Sequence, residues 1–219
     1  MYHRLKQFLN KHNIFYNYQY GFRERCSTQR AILHIVNRIQ RNMDRGMFSC
    51  GVFIDLQKAF DAVDYHILLH KLSHYGVRGV FNKWFCSYLN ERTQITQVGC
   101  HISKREKTSC GVPQGSVFGP LLFLIYINDI YKPSNTLGFY LFADDTNLLY
   151  AARNLKSLES VVNVELLNVC DWLSVNKLSL NIKKTNFVTF HPLYQYIIIV
   201  TAVSCVNFES CTFVYSFRF

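Results

Sequence analysis

The sequence predicts an α+β domain, an antiparallel sheet with helices packed on one face. Three observations carry this. Of the 219 residues, 49% are hydrophobic and 17% charged, which is enough apolar surface for a sizeable core and too little polarity for a disordered chain. Short apolar runs of strand length interleave with segments whose apolar residues recur at helical spacing. The interleaving follows no strict strand–helix–strand rhythm, which disfavours a doubly wound parallel sheet.

Taken in order, residues 1–20 are basic and rich in aromatic side chains. From Ser27 to Met43, the residues Ala31, Ile32, Ile35, Val36 and Ile39 mark one face of a helix. Cys50–Asp55 is a short apolar run closed by an acid and reads as a buried strand. Helical spacing resumes from Lys58 to Tyr75, and Gly76 stands where a glycine commonly ends a helix. Phe81–Asn90 is a second helix of this region, and Thr93–Gly99 alternates as a strand does. Gly111–Ser116 is a loop by its Gly and Pro content, and Pro120 fits the first turn of a helix running to Ile130. Leu137–Ala143 and Asn147–Tyr150 flank Asp144-Asp145-Thr146, which predicts a tight β-hairpin with two carboxylates at its tip. Leu155–Leu173 is a long amphipathic helix, and Leu178–Ile182 and Phe187–Phe190 are short strands around Lys183-Lys184-Thr185. Residues 191–219 hold one Glu and one Arg among β-branched and aromatic residues, and are not expected to belong to the same fold.

Charge points to a class of partner. Lys and Arg number 24 against 14 Asp and Glu, a net +10, and residues 1–45 alone hold nine basic residues against two acidic ones. That balance favours a polyanion, nucleic acid ahead of an anionic membrane. None of the eight cysteines forms a CxxC pair, so neither a zinc ribbon nor a thioredoxin-type motif is expected, and the thiols read as reduced in an intracellular protein. Met1–Lys6 has no apolar leader character. The longest mostly apolar run, Tyr196–Val206, is 11 residues, against about 20 for a membrane-spanning helix, so no membrane partner is expected. His66, His70 and His74 share a helical face, but no acid or cysteine completes a ligand set with them.

Three acids stand out by position: Asp55 at a strand end, Asp144 and Asp145 in a hairpin turn. Singly, each has an ordinary reading as a turn or capping residue. Together they suggest a cation. Like charges gathered without one raise a pKa and cost stability. Two hard cations about 3.5–4 Å apart clamp the attacking and leaving oxygens of a phosphoryl transfer. Mg²⁺ needs only a few carboxylates beside substrate phosphates.

The residues around these acids resemble the motifs of reverse transcriptases. Phe53–Asp64, FIDLQKAFDAVD, resembles motif A; Gly111–Phe123, GVPQGSVFGPLLF, motif B; Phe142–Thr146, FADDT, motif C; and Asn181–Thr185, NIKKT, motif D. Gln19-Tyr-Gly-Phe-Arg23 with Ser27-Thr28 is similar to the fingers segment that precedes motif A in non-LTR retrotransposon enzymes. All five stand in family order. The resemblance implies a polymerase palm at residues 50–190, a partial fingers segment at 1–49 and an apolar tail at 191–219 without a recognisable thumb.

It also implies roles. Asp55, Asp144 and Asp145 would be ligands of two Mg²⁺ or Mn²⁺ ions, with the Leu56 carbonyl assisting. Phe60 would be a steric gate that excludes a 2′-OH. Gln114 and Gly115 would line the nucleotide pocket. Lys184 would stand near the triphosphate and protonate the leaving pyrophosphate, and Arg23 would touch the template backbone. The partners implied are an RNA template, a DNA primer and deoxynucleotides, and the reaction is RNA-directed DNA synthesis. Members of the family also carry an upstream basic fingers motif and a thumb, which this sequence does not display, so weak or absent polymerisation by these 219 residues is the expectation. The alternatives are a catalytically dead remnant and a basic nucleic-acid-binding module on the same scaffold.

Overall fold

The computed structural model describes residues 1–192 and the backbone of two further strands, Ile197–Thr201 and Ser216–Phe217. The chain gathers into two compact units, each discontinuous in sequence: residues 16–57 with 128–219, and residues 1–15 with 58–127.

The first unit is built on a six-stranded antiparallel sheet. Its strands are β1 (Phe48–Ile54), β7 (Gly138–Phe142), β8 (Asp145–Ala152), β10 (Asn186–Phe190), β11 (Ile197–Thr201) and β12 (Ser216–Phe217), in the order β12-β11-β10-β1-β8-β7. Central β1 is flanked by β8 and β10, with Ile54 opposite Thr146 and Phe53 opposite both Asn147 and Asn186. A two-stranded pair, β2 (Leu56–Gln57) and β9 (Ser179–Leu180), continues beyond the end of β1.

Helix α2 (Thr28–Asp44) starts at an N-cap, Ser27, whose hydroxyl accepts from the Arg30 N–H. Its Ala31, Ile35 and Ile39 pack around Tyr20, Tyr140 and Leu149. Near its end Asn42 donates to the Ser49 hydroxyl, so both buried polar groups are satisfied. Helix α6 (Leu155–Val175), capped by Asn154, buries Leu158, Val162, Val169 and Leu173. Both helices pack on the sheet, α2 against β1 and β7 and α6 against β1 and β8, and Leu149, opposite Gly51, lies on the side taken by α2.

The second unit is mainly helical. It comprises α1 (Tyr2–Lys11), α3 (Tyr65–His74), α4 (Val80–Asn90) and α5 (Gly119–Ile127), with two short hairpin pairs: β3 (Thr93–Gln94) with β6 (Glu106–Lys107), and β4 (Gln97–Val98) with β5 (His101–Ile102). Helix α5 is apolar all round, and its residues from Leu122 to Ile127 are fully buried, as such a helix must be. Lys71 of α3, itself buried, donates to the Tyr126 carbonyl at 2.6 Å and so satisfies one of the open carbonyls at the end of α5.

Three elements differ from the sequence expectation. Helix α3 begins at Tyr65 rather than Lys58, with Asp64 capping the His66 and Ile67 N–H groups. Ahead of it, Lys58 has a φ of +46°, and the carbonyls of Phe60 and Val63 are taken by the N–H groups of Val112 and Gly111, both at 2.8 Å. A helix would need those carbonyls for itself. The expected strand at Thr93–Gly99 is divided between the two hairpin pairs. The segment beyond residue 190, not expected to join the fold, contributes β11 and β12, because β10 offers a free edge that Ile197–Thr201 completes. Cys205, Cys211 and the tail's side chains lie outside the described residues; the six described cysteines are free thiols. Among the described residues, no helix is long and apolar enough to cross a membrane.

Candidate active site

Asp55 stands one residue beyond the last pair of β1 and β8, Ile54 opposite Thr146, so the register carries it toward Asp145 at the start of β8. Three bonds hold it from the segment Asn181–Thr185. The Thr185 hydroxyl accepts from the Asp55 N–H at 3.3 Å, the Asn181 N–H donates to the Asp55 carbonyl at 2.8 Å, and the Asn181 side-chain amide donates to Asp55 Oδ2 at 2.7 Å. Asp55 is therefore fixed in backbone and side chain by residues about 126 positions away.

The hairpin is tighter than expected. Phe142 pairs with Asp145, which leaves Ala143 and Asp144 as a two-residue turn. Asp144 thus sits at the tip, while Asp145 opens β8. Ala143 has a φ of +57°, at the turn position that a type II′ hairpin usually gives to glycine.

The three carboxylates share one electrostatic neighbourhood. Asp145 is the most exposed of them, yet its pKa is raised above the ordinary carboxyl value, first by desolvation, then by Asp144, then by Asp55. Asp55, Asp145 and the exposed Lys184 line one groove of about 490 Å³, whose opposite wall is apolar and includes Ile32 and Val36 of α2. Lys184 lies in the turn closed by the Asn181 carbonyl.

Among the described residues, no three acid, histidine or cysteine side chains stand gathered around a single point as a closed cation cage. The donor set nevertheless fits hard divalent cations. It offers carboxylate oxygens that repel one another, and Mg²⁺ usually takes one or two carboxylates and completes its shell with water and substrate phosphate.

The remaining candidates are placed as follows. In the helical unit, the half-buried Phe60 stacks flat on fully buried Phe123, with ring centroids 4.2 Å apart. Gln114 donates to Asp61 Oδ1 at 2.8 Å, and both line a polar groove of about 570 Å³ with Arg92 and Lys107. Gly115 needs to be glycine for its φ of +79°, and the space where a Cβ would stand is open. Leu56 is buried in the β2–β9 pair. Arg23 Nη1 donates to the carbonyls of Tyr16 and Gln19, at 2.9 and 3.2 Å, and so braces the turn that leads into Gly21.

Asn181 and Thr185, the anchors of Asp55, and Asp61, the partner of Gln114, are the residues that sequence reasoning did not assign. Their signal was their place in the motifs, Asn181 and Thr185 at the two ends of motif D and Asp61 within motif A, without any local reason for those residue types there.

An antiparallel sheet with one carboxylate at the end of its central strand and two more on the adjoining hairpin is the palm of a nucleic-acid polymerase. The chain belongs to the reverse transcriptase (RNA-dependent DNA polymerase) family, whose model matches residues 1–213. Among curated relatives it is 29% identical over 195 residues to the probable RNA-directed DNA polymerase from transposon BS of Drosophila melanogaster, covering 83% of this chain and 21% of that protein. It is 29% identical over 182 residues to the RNA-directed DNA polymerase from mobile element jockey of the same species, covering 79% and 20%. The chain therefore spans about a fifth of the length of these relatives. Both relatives are polymerases of mobile elements, the first a transposon. Among solved structures, telomerase from Candida albicans superimposes with a TM-score of 0.60 at 12% identity, over 96% of this chain and 38% of that one. Apo telomerase from Candida tropicalis gives 0.61 at 11%, over 96% and 42%. At such identities the likeness is one of fold.

Proposed function

We propose that this domain carries out RNA-templated addition of deoxynucleotides to a primer 3′-OH, with release of pyrophosphate. The observation that supports the reading above all others is the placement of Asp55 at the end of the central strand beside Asp145 at the start of β8 and Asp144 in its turn, with Asp55, Asp145 and Lys184 lining one groove. Asp55 and Asp144 are the essential ligands of two Mg²⁺ or Mn²⁺ ions, with Asp145 and the Leu56 carbonyl completing the set. Bound ions would lower the pKa of the 3′-OH and neutralise charge on the phosphates.

The protein's own residues do the rest by positioning and charge. The 3′-OH gives up its proton to solvent as its oxygen attacks the α-phosphorus, and the bond to the pyrophosphate oxygen breaks as the new phosphodiester forms. Lys184 places an ammonium at the groove beside the acids, where it gives the leaving pyrophosphate a proton. Phe60 gates the sugar, Gln114 and Gly115 line the nucleotide pocket, and Arg23 with the basic residues of the 1–49 fingers segment meets template phosphates. Residues 50–190 serve as the palm. RNA as template agrees with the family and with the naming of the relatives.

The 219 residues alone are expected to extend a primer weakly or not at all, so the test is primer extension on a homopolymer RNA template with Mg²⁺ or Mn²⁺ by the chain joined to complete fingers and thumb segments, comparing it with its Asp144→Asn variant. Extension lost in the variant supports the reading. RNA binding with no extension, alike in both proteins, would favour a nucleic-acid-binding module.

A further inference from the structure

The Gln19-Tyr-Gly segment has a structural part that its motif does not by itself explain. It runs alongside β7 as a parallel bridge between Gln19 and Leu141. The Leu141 N–H donates to the Tyr18 carbonyl and the Tyr20 N–H to the Leu141 carbonyl, both at 2.8 Å. This pairing delivers the Gln19 side chain, 1% exposed, to the turn between β7 and β8.

There Gln19 Oε1 accepts from the Ala143 N–H at 3.0 Å and from the Gly21 N–H at 2.8 Å, while Nε2 donates to the Ala143 carbonyl at 3.4 Å. The Ala143 N–H belongs to the peptide plane before that residue and its carbonyl to the plane after it. One side-chain amide thus grips both planes, and so fixes the φ and ψ of Ala143. Those two angles set where the next residue, Asp144, stands. They are also angles that Ala143 does not favour, since a residue with a Cβ resists a φ of +57°. Gly21 completes the fit: a Cβ there would fall 2.2 Å from the Ala143 nitrogen.

We infer that Gln19 is a positioning residue for the acid pair, holding the strained Ala143–Asp144 turn in the geometry that presents Asp144 and Asp145 to divalent cations. The cation part rests on the function proposed above; the clamp on the turn does not.

The experiment uses the whole 219-residue chain and two readouts. Hydrogen exchange at the Ala143 amide reads the clamp, and Mn²⁺ affinity by water-proton relaxation reads the site. Gln19→Met keeps the side chain's length and removes its hydrogen bonds. Gln19→Asn, which keeps polarity but falls short of the turn, serves as the second variant should the first fail to fold. Either substitution is expected to abolish protection of the Ala143 amide and to weaken Mn²⁺ binding about tenfold, the lower end of the effect of outer-shell partners on metal sites. Adding Ala143→Gly, for which positive φ is unstrained, is expected to restore most of the affinity without restoring Gln19. A folded Gln19 variant with a lowered melting temperature but the parent's Mn²⁺ affinity overturns the inference, because that is the behaviour of a purely structural residue. Absence of Asp144-dependent Mn²⁺ binding in the parent would count against the metal-site reading alone. Exchange at Ala143 would then decide the clamp, with unchanged protection overturning it.

Discussion

The Asn181 side-chain amide donates a 2.7 Å hydrogen bond to Oδ2 of Asp55, across 126 residues of sequence. A carboxylate held by one oxygen presents the other in a fixed direction, and this is how outer-shell partners tune a metal ligand. Asn181→Ala should therefore cost far more than a surface change. A loss of about 10- to 100-fold in primer-extension kcat/KM is expected, with a higher Mn²⁺ concentration needed for half-maximal rate. Steady-state extension across a Mn²⁺ titration measures both, and an unaltered metal requirement would reduce Asn181 to a fold-keeping role.

Asp145 gives a pH prediction. Its pKa is raised in the fold by desolvation and by Asp144 and Asp55. At a pH below the ordinary carboxyl value the group is protonated whether the chain is folded or not, and it costs nothing. As pH rises through that value the unfolded chain ionises first, so the folded state loses stability until its own raised pKa has been passed. Above that raised pKa the penalty is complete. Asp145→Asn should therefore melt higher than the parent at pH 7 without metal, and should gain less on adding Mg²⁺. The two proteins should converge as pH falls below the carboxyl range. Thermal melts with and without Mg²⁺ across that interval test this, and a variant less stable than the parent at pH 7 without metal would contradict it.

These two acids also mark the limit of what sequence patterns convey. The hairpin was legible, because two apolar runs flank a polar pair. The exact turn was not. It places Ala143 at positive φ, a position patterns reserve for Gly or Asn, and the reason lies 124 residues away in the Gln19 amide. Likewise, the spacing from Lys58 onward reads as helical, but the carbonyls of Phe60 and Val63 are bound by residues 112 and 111. Local periodicity carries no information about such partners. Asp55 itself could be found through the motif its neighbours spell, although an acid closing a strand is by itself an ordinary turn or capping residue. Its anchors Asn181 and Thr185 could not, since their function exists only once β1 and the turn before β10 are side by side.

The charge distribution predicts how RNA binding responds to salt. Nine basic residues within residues 1–45 are opposed by two acids, and Arg30, Arg38 and Arg41 lie along α2. Phosphate neutralisation by such a surface gives a log–log slope of about −0.7 per contact on single strands. Replacing Arg38 and Arg41 together by Gln should flatten the slope by about 1.4 and weaken binding alike for all sequences. Fluorescence anisotropy on two unrelated RNA oligomers over a range of salt concentrations measures it. A slope unchanged by the double substitution would place the contacts elsewhere.

Phe60 gives the sharpest test of a residue with two readings. Its ring stacks on Phe123 at 4.2 Å and 24°, which is enough to explain a phenylalanine there without any nucleotide. The steric-gate reading requires more: the part of the ring left exposed must exclude a 2′-OH. Phe60→Val removes the stacking partner, with an expected stability loss of about 1 kcal/mol from the aromatic pair. It also shortens the side chain. If Phe60 only packs, dNTP and rNTP incorporation should fall together, in proportion to the folded fraction at the assay temperature. If it gates the sugar, the rNTP-to-dNTP ratio should rise while the dNTP rate changes little. Phe60→Tyr separates the two effects again, because it keeps the stacked ring and the bulk. The gate reading therefore expects discrimination at the parent's level in Tyr and relaxed discrimination in Val. Incorporation ratios that are equal in all three proteins would assign Phe60 to the core.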